Sequence, residues 1–282
     1  QEKYEPVRIG ITKDGRWYLY RGPIEAMEDG SWEHEPDNLP AFPSPDRSIG
    51  GMVICDPKGT RILKVDCVFP VLHGKNGEDG TVQGLLQLSG IPFVGCRTLA
   101  SAVCMDKAVT HTLLSAAGIC QAKYLWFFAH KYQTGAEKIK LKIRARLGYP
   151  VFVKPANAGS SIGVSKVSCE ADLDAAVAKA AHEDGKIVVE EAVTGQEVEC
   201  AVLGNLEPEA SPVVGEIAAS AQFYDYDDKY KSGKSQLFIP AHLDPSTAEE
   251  VRATAVRAYR MLGCGGFARV DFFVRGGTEV LL

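Results

Sequence analysis

Lys154 ends a short β-branched and aromatic run, Val151-Phe152-Val153, and is followed by Pro155 and the small-residue stretch Ala158-Gly159-Ser160-Ser161-Ile162-Gly163. The run predicts a buried strand that Pro155 stops, and Val164 to Val167 predicts another strand beyond the loop. Glycine and serine leave backbone N–H groups uncovered and able to converge on an anion, and a lysine leaving the preceding strand adds a point charge. That combination suits a polyphosphate. A plain hairpin turn with a solvent-facing lysine accounts for the same residues, since the stretch is neither a Walker loop nor a dinucleotide fingerprint.

Four other groups could do chemistry. His73 to Gly84, HGKNGEDGTVQG, sets glycines and ionisable side chains directly after an apolar run, where open α/β sheets place their ligands. A turn followed by an N-capped helix explains it too. Glu190 and Glu191 end one predicted strand, and Glu197 and Glu199 share a face of the next. Beside a phosphate loop such acids could meet an adenine amine and ribose hydroxyls; without it they are a solvated edge. Arg269 and Asp271 share one face of Phe267 to Val274, as a structural ion pair or a functional one. Phe223 to Gly233 mixes aromatics, acids and small residues in the manner of a lid loop.

The elements that must position these groups alternate strand and helix. Val7 to Thr12 and Trp17 to Tyr20 predict a strand pair about Asp14-Gly15, and Glu28 to Asp46 an exposed loop. Met52 to Cys55 and Ile62-Leu63 predict a second pair. Lys64 to Leu72 reads as a continuous apolar strand of a parallel sheet. Thr81 to Leu88 predicts a helix, Ile91 to Gly95 a short strand, and Leu99 to Ala117 one helix with Met105-Asp106-Lys107 inside it, ended by Gly118. Tyr124 to Ala129 predicts a strand. Lys138 to Leu147 predicts a surface helix whose lysines and arginines face water rather than a nucleic acid. Ala171 to Ala181 and Pro245 to Leu262 are amphipathic helices, and Lys186 to Glu191, Thr194 to Leu203 and Phe267 to Val274 are strands.

With 282 residues the chain is long enough for two or three cores. A net charge of -5 gives no reason to expect a nucleic acid or an anionic membrane as partner. The apolar runs are too short to span a bilayer, which makes a soluble, cytoplasmic protein the expectation. Eight scattered cysteines without C-x-x-C spacing read as small buried hydrophobes in a reducing compartment.

Taken in order, HGKNGEDGTVQG, MDK (Met105 to Lys107), FVKP with GSSIG (Phe152 to Gly163), EEAVTGQE (Glu190 to Glu197), YDYDDKY (Tyr224 to Tyr230) and FARVDFF (Phe267 to Phe273) resemble the D-alanine–D-alanine ligase family over nearly the whole chain. The likeness includes the D-alanine–D-serine ligases of vancomycin-resistance operons. It implies a mixed α/β ATP-grasp fold. The expected divisions are an N-terminal open α/β substrate domain over residues 1–98, lacking its first strand, a central subdomain over 99–192 and a C-terminal subdomain over 193–282. The implied reaction joins D-alanine to D-alanine or D-serine for peptidoglycan precursors, with ATP and Mg²⁺ or Mn²⁺, in a homodimer.

The resemblance also implies roles. Lys107 and Lys154 would hold the ATP phosphates under the Ser160-Ser161 loop, with Lys229 approaching the γ-phosphate. Glu190 and the Val193 backbone would meet the adenine, and Glu197 the ribose. Asp271 would ligate the metal and Arg269 would stabilise charge on the tetrahedral intermediate. His73 would lie near the carboxylate of the first D-alanine, and Ser160 and Tyr230 would link substrate to lid. The family's opening strand, with its glutamate and serine, and its closing Asn-Glu-x-Asn-Thr-x-Pro-Gly segment are not among these residues. The expectation is therefore a half-built metal site with little activity, belonging to a longer enzyme. The alternatives are an inactive nucleotide-binding remnant and a different ATP-grasp carboxylate–amine ligase; HGKNGEDG argues against the latter.

Overall fold

A computed structural model describes residues 3–159, 161–218 and 236–282. These fall into two compact units, residues 1–69 with 84–94, and residues 70–83 with 95–282.

The first unit is built on an antiparallel meander, β1 (Arg8–Ile11), β2 (Trp17–Tyr20), β3 (Leu39–Pro43), β4 (Gly51–Asp56) and β5 (Gly59–Lys64), with α1 (Glu25–Asp29) between β2 and β3. Leu19, Ala41, Met52 and Ile54 form one small core, and Tyr20, Ala26 and Trp32 another. Trp32 lies so close to β1 that a Cβ on Gly10 would fall 2.3 Å from its ring. Two expectations fail here. Glu28 to Asp46 is not simply a loop, because Trp32 and Ala41 are buried and β3 pairs with both β2 and β4. The apolar run after Lys64 is not a strand. It makes one parallel bridge, Val68 to Phe93, which is also all that remains of the strand expected over Ile91 to Gly95. Phe69 and Val71 are 62% and 71% exposed.

Helix α2 (Thr81–Ser89) follows, and the second unit continues with α3 (Thr98–Met105), α4 (Lys107–Ala116), β6 (Tyr124–Phe128), α5 (Ala129–Arg146), β7 (Val151–Pro155), β8 (Ser165–Val167), α6 (Leu173–Glu183) and β9 (Lys186–Glu191). The four strands form an antiparallel sheet in the order β6-β9-β7-β8. Period-two alternation divides its faces. Val151, Val153, Ile187 and Val189 pack with Tyr132, Ile143 and Leu173 from the covering helices. Each fully buried aliphatic side chain of this kind contributes about 1.5–3 kcal/mol relative to exposure, which makes the sheet a firm support for what its other face carries. That face presents Phe152, Lys154 and Glu190, with Val188 packed against Ala108 and Ala156.

Asp106 breaks the single helix expected over Leu99 to Ala117. It is extended (φ -82°, ψ 97°), and its side chain accepts hydrogen bonds from the N–H groups of Ala108 and Val109 at 3.1 Å, capping α4. Apolar periodicity runs through the break because both helices bury residues; a cap contributing ~1 kcal/mol decides it locally.

The remaining strands are β10 (Gln196–Leu203), β11 (Glu209–Ala210), β12 (Gly215–Ala218) and β13 (Gln236–Phe238); after α7 (Pro245–Met261) come β14 (Phe267–Arg275) and β15 (Glu279–Leu281). They form an antiparallel sheet ordered β13-β12-β10-β14-β15, with β11 paired to β10. Helix α7 packs Val251, Ala255 and Tyr259 onto Val198, Cys200, Phe272 and Val274. The cysteines depart from expectation: Cys200 is buried, whereas Cys67, Cys104, Cys120 and Cys169 are exposed.

Candidate active site

Two clusters of charge lie in the second unit. The first is built on Glu190. Its neighbours across β9 are Phe152 on β7 and Tyr124 on β6, and Lys154 stands diagonally to it. The Lys154 Nζ donates to Glu190 Oε2 at 2.5 Å, with the two side chains 24% and 13% exposed. His111, on α4, stacks on Tyr124 at 4.1 Å and brings Nε2 to 3.2 Å from Glu190 Oε1. Burial alone raises the Glu190 acid; the charge of Lys154 and the hydrogen bond from His111 outweigh it and hold the carboxyl well below the usual range.

Lys107, the first residue of α4, donates to the carbonyls of Ala158 at 2.6 Å and Ala156 at 3.4 Å. Burial, and then the charge of Lys154, push its ammonium down to about 8. Two lysines are therefore held together at the mouth of the small-residue loop, with Glu190 as their partial counter-charge. The capping Asp106 is itself anchored by an ion pair to Lys186.

The loop leaves β7 through Asn157, whose N–H donates to Asp184 at 2.8 Å. Ser161 sits in the left-handed region (φ 59°), a strained conformation for a non-glycine residue of the kind found at ligand clamps. Gly159 approaches the His73 turn so closely that a Cβ there would lie 3.0 Å from the Gly74 Cα. Within that turn Glu78 accepts from the Gly74 N–H at 2.5 Å, and Asp79 accepts from Asn76 at 2.8 Å and Thr81 at 3.0 Å. The His73 turn and the loop at Gly159 are thus neighbours.

The second cluster lies on the β10–β14 pair. Asp271 faces Glu199 across the strands, and Arg269 faces Ala201. The Arg269 guanidinium holds Asp271 with two hydrogen bonds, 2.7 and 2.9 Å, and reaches Glu199 at 3.2 Å. Glu197 lies two residues before Glu199 on the same face, and Val193 follows β9, half-buried. Asp271 pairs with Arg269, not with either lysine. Among the described residues, no group of three His, Cys, Asp or Glu side chains could hold a metal ion. Ser160, Lys229 and Tyr230 lie outside the described residues.

His111 went unremarked in the sequence, and for Asp106 and Glu199 the partners did. His111 looks like any polar helix residue until Tyr124 and Glu190 are brought to it from elsewhere in the chain. The anchoring of Asp106 by Lys186 is likewise tertiary. Glu199 had a signal, since its face is shared with Glu197, but only the strand register sets it opposite Asp271.

The family model described as D-ala D-ala ligase N-terminus matches residues 1–96, and that described as D-ala D-ala ligase C-terminus matches residues 113–282. A D-alanine–D-alanine ligase of Caldicellulosiruptor bescii is 47% identical over 279 residues, covering 99% of this chain and 76% of the relative. One from Acetivibrio thermocellus is 46% identical over 288 residues, covering 98% and 76%. Among solved structures, the VanG D-Ala:D-Ser ligase from Enterococcus faecalis superposes with a TM-score of 0.85 at 42% identity, covering 100% of this chain and 80% of that one. The D-alanine–D-alanine ligase of Coxiella burnetii gives 0.76 at 31% identity, covering 97% and 72%. With both halves matched in order, and two sheets carrying paired lysines and an Arg-Asp strand, the chain belongs to the D-alanine–D-alanine ligase family of ATP-grasp ligases.

Proposed function

We propose that this protein uses ATP to join D-alanine to a second D-amino acid, D-alanine or D-serine, by way of an acyl phosphate. The observation that carries the reading is the convergence of Lys107 and Lys154 beside a loop able to offer backbone N–H groups. A carboxylate is a poor electrophile. Its oxygen attacks the γ-phosphorus of ATP, ADP departs, and the amine of the second amino acid then displaces phosphate from the acyl carbon. Fixed positive charge around the phosphoryl oxygens would supply most of the barrier lowering.

In this reading Lys107 and Lys154 hold the phosphates, and the loop through Ser161 covers them. Glu190 and the Val193 backbone meet the adenine, Glu197 the ribose, and His73 the carboxylate of the first D-alanine. Arg269 faces the charge that develops on the tetrahedral intermediate. Asp271 and Glu199, opposed across the strands, are the hard-oxygen pair that suits magnesium, which takes one or two carboxylates and completes its shell with water and substrate phosphates. When bound, the ion would supply charge neutralisation at the phosphates. No helix among the described residues is long and apolar enough to cross a membrane, and a cytoplasmic location fits the use of ATP.

The test is to incubate a full-length version of the protein with ATP, Mg²⁺ and D-alanine, alone and with D-serine or D-lactate. Phosphate release that requires a D-amino acid is expected. Nucleotide binding with no release under any of these conditions would leave only an inactive remnant.

A pH dependence follows from Lys107. Its ammonium titrates at about 8 in the ligand-free protein, and a bound phosphate would raise that value. ATP binding should therefore take up a proton above pH 8 and weaken by up to ~tenfold per pH unit beyond it, while being insensitive to this group below pH 7. Calorimetry in buffers of different ionisation enthalpy measures the uptake. Equal uptake by Lys107→Arg would assign it elsewhere.

Gly159→Ala tests the contact between loops. The new methyl would force the His73 turn to yield by a few tenths of an ångström, with no left-handed strain at the position itself. The KM for the first D-amino acid should rise on the order of tenfold while that for ATP moves little. Equal rises in both would deny the His73 turn a separate role.

A further inference from the structure

Three cysteines from separate segments meet in the second unit. Cys104 lies on α3, Cys264 on the connector from α7 to β14, and Cys96 just ahead of α3. The Sγ atoms of Cys104 and Cys264 are 3.9 Å apart, and Cys96 Sγ lies 4.0 Å from the Phe267 carbonyl oxygen. The segments are pressed together by glycine: a Cβ on Gly266 would lie 2.8 Å from the Gly95 nitrogen. Among the described residues no group of this kind could hold a metal ion, and the sulfurs of Cys104 and Cys264 are in contact.

We infer that Cys104 and Cys264 form a reversible disulfide under peroxide, and that this bridge restrains the catalytic machinery. Cys104 is exposed and Cys264 is partly covered, an arrangement of an accessible attacking thiol with a resolving thiol in contact. Their electrostatics agree. Hydrogen bonding with Cys264 lowers the Cys104 thiol, against burial and the charge of Cys96, and contact with Cys264 likewise pushes Cys96 down to about 7. Contact with both of these sulfurs, and burial, push the Cys264 thiol up. These directions favour thiolate character on Cys104 over Cys264.

The steps balance. Cys104 thiolate attacks a peroxide oxygen, the O–O bond breaks, and the released alkoxide or hydroxide takes a proton from water, leaving a sulfenic acid. Cys264 sulfur attacks Cys104, the S–O bond breaks, and water leaves with the Cys264 proton. Two thiols are oxidised by two electrons and one peroxide is reduced.

The consequence comes from where the sulfurs sit. Cys104 is three residues before Lys107, and Cys264 is five before Arg269. A covalent tie would fix the start of α4 against the entry to β14, two elements whose alignment the acyl-phosphate chemistry needs. This effect on turnover rests on the ligase reading; formation of the bridge does not.

The test treats the full chain with a few equivalents of hydrogen peroxide. Intact mass should fall by two hydrogens, peptide mapping should join the Cys104 and Cys264 peptides, and dithiothreitol should reverse both. The linked peptide should be absent from Cys104→Ser, with the untreated variant turning over as the parent does. Turnover of the bridged protein should fall on the order of tenfold or more, as small misplacements of reacting groups do, and recover with dithiothreitol. A bridge through Cys96, or sulfinic acids without any link, would overturn the assignment. A Cys104–Cys264 bridge with unchanged turnover would overturn the restraint. Failure of the reduced protein to turn over, with the bridge still forming, would count against the ligase reading instead.

Discussion

Replacing Arg269 with alanine is expected to slow ligation by about 10²–10³-fold while leaving the protein folded. The guanidinium is 56% exposed, and its bonds to Asp271 and Glu199 lie on an open sheet face. Pairs of that kind contribute at most ~1 kcal/mol to stability, so thermal unfolding should move little. In the proposed reading, alanine removes a planar donor, already aligned by two carboxylates, that would face charge present only in the transition state. The loss should therefore fall on kcat, with the KM for ATP nearly unchanged. Lysine restores the charge without the fork, so Arg269→Lys should recover only part of the rate. A kcat within a factor of about three of the parent in Arg269→Ala would remove this residue from the chemistry.

The faces on which the proposed site residues lie were legible because strands write alternation into sequence. Val151-Phe152-Val153-Lys154 places valines on one face and Lys154 on the other, and β7 does this over Val151–Pro155. Phe267 to Val274 likewise sets Arg269 and Asp271 on one face, as β14 does. What failed depends on partners remote in the chain. Lys64 to Leu72 is apolar enough for a buried strand, yet beyond β5 it makes, among the described residues, only an isolated bridge from Val68 to Phe93. Asp106 caps α4 through one carboxylate oxygen, and Lys186, eighty residues on, pairs with the other. His111 gains meaning from Tyr124 and Glu190. The cysteines were read from composition, which cannot distinguish a buried sulfur from one of three gathered at a crossing of segments. Motifs identified the family; contacts distributed along the chain decide how its residues are held.

Lys154→Ala is expected to weaken ATP binding by about 10–100-fold, the loss of a hydrogen bond from a charged donor to a phosphate. It should also destabilise the protein, which separates it from Arg269→Ala. Removing the ammonium leaves Glu190 mostly buried with His111 as its remaining side-chain partner. Breaking a fully buried pair costs about 3–5 kcal/mol, and the partial exposure here reduces that to ~1–3 kcal/mol. The sign with pH is fixed. Because the folded Glu190 carboxyl titrates below its ordinary 4.5, the stabilisation is fully present above that value and is lost as pH falls through the folded one. Urea titrations at pH 7 and pH 3 should show the difference between parent and variant shrinking in acid. Adding Glu190→Gln removes the stranded charge, so the double variant should regain stability without regaining ATP affinity, measured against Glu190→Gln alone. If the second substitution restored affinity as well, Lys154 would act on nucleotide only through Glu190, and its direct contact with the phosphates would have to be withdrawn.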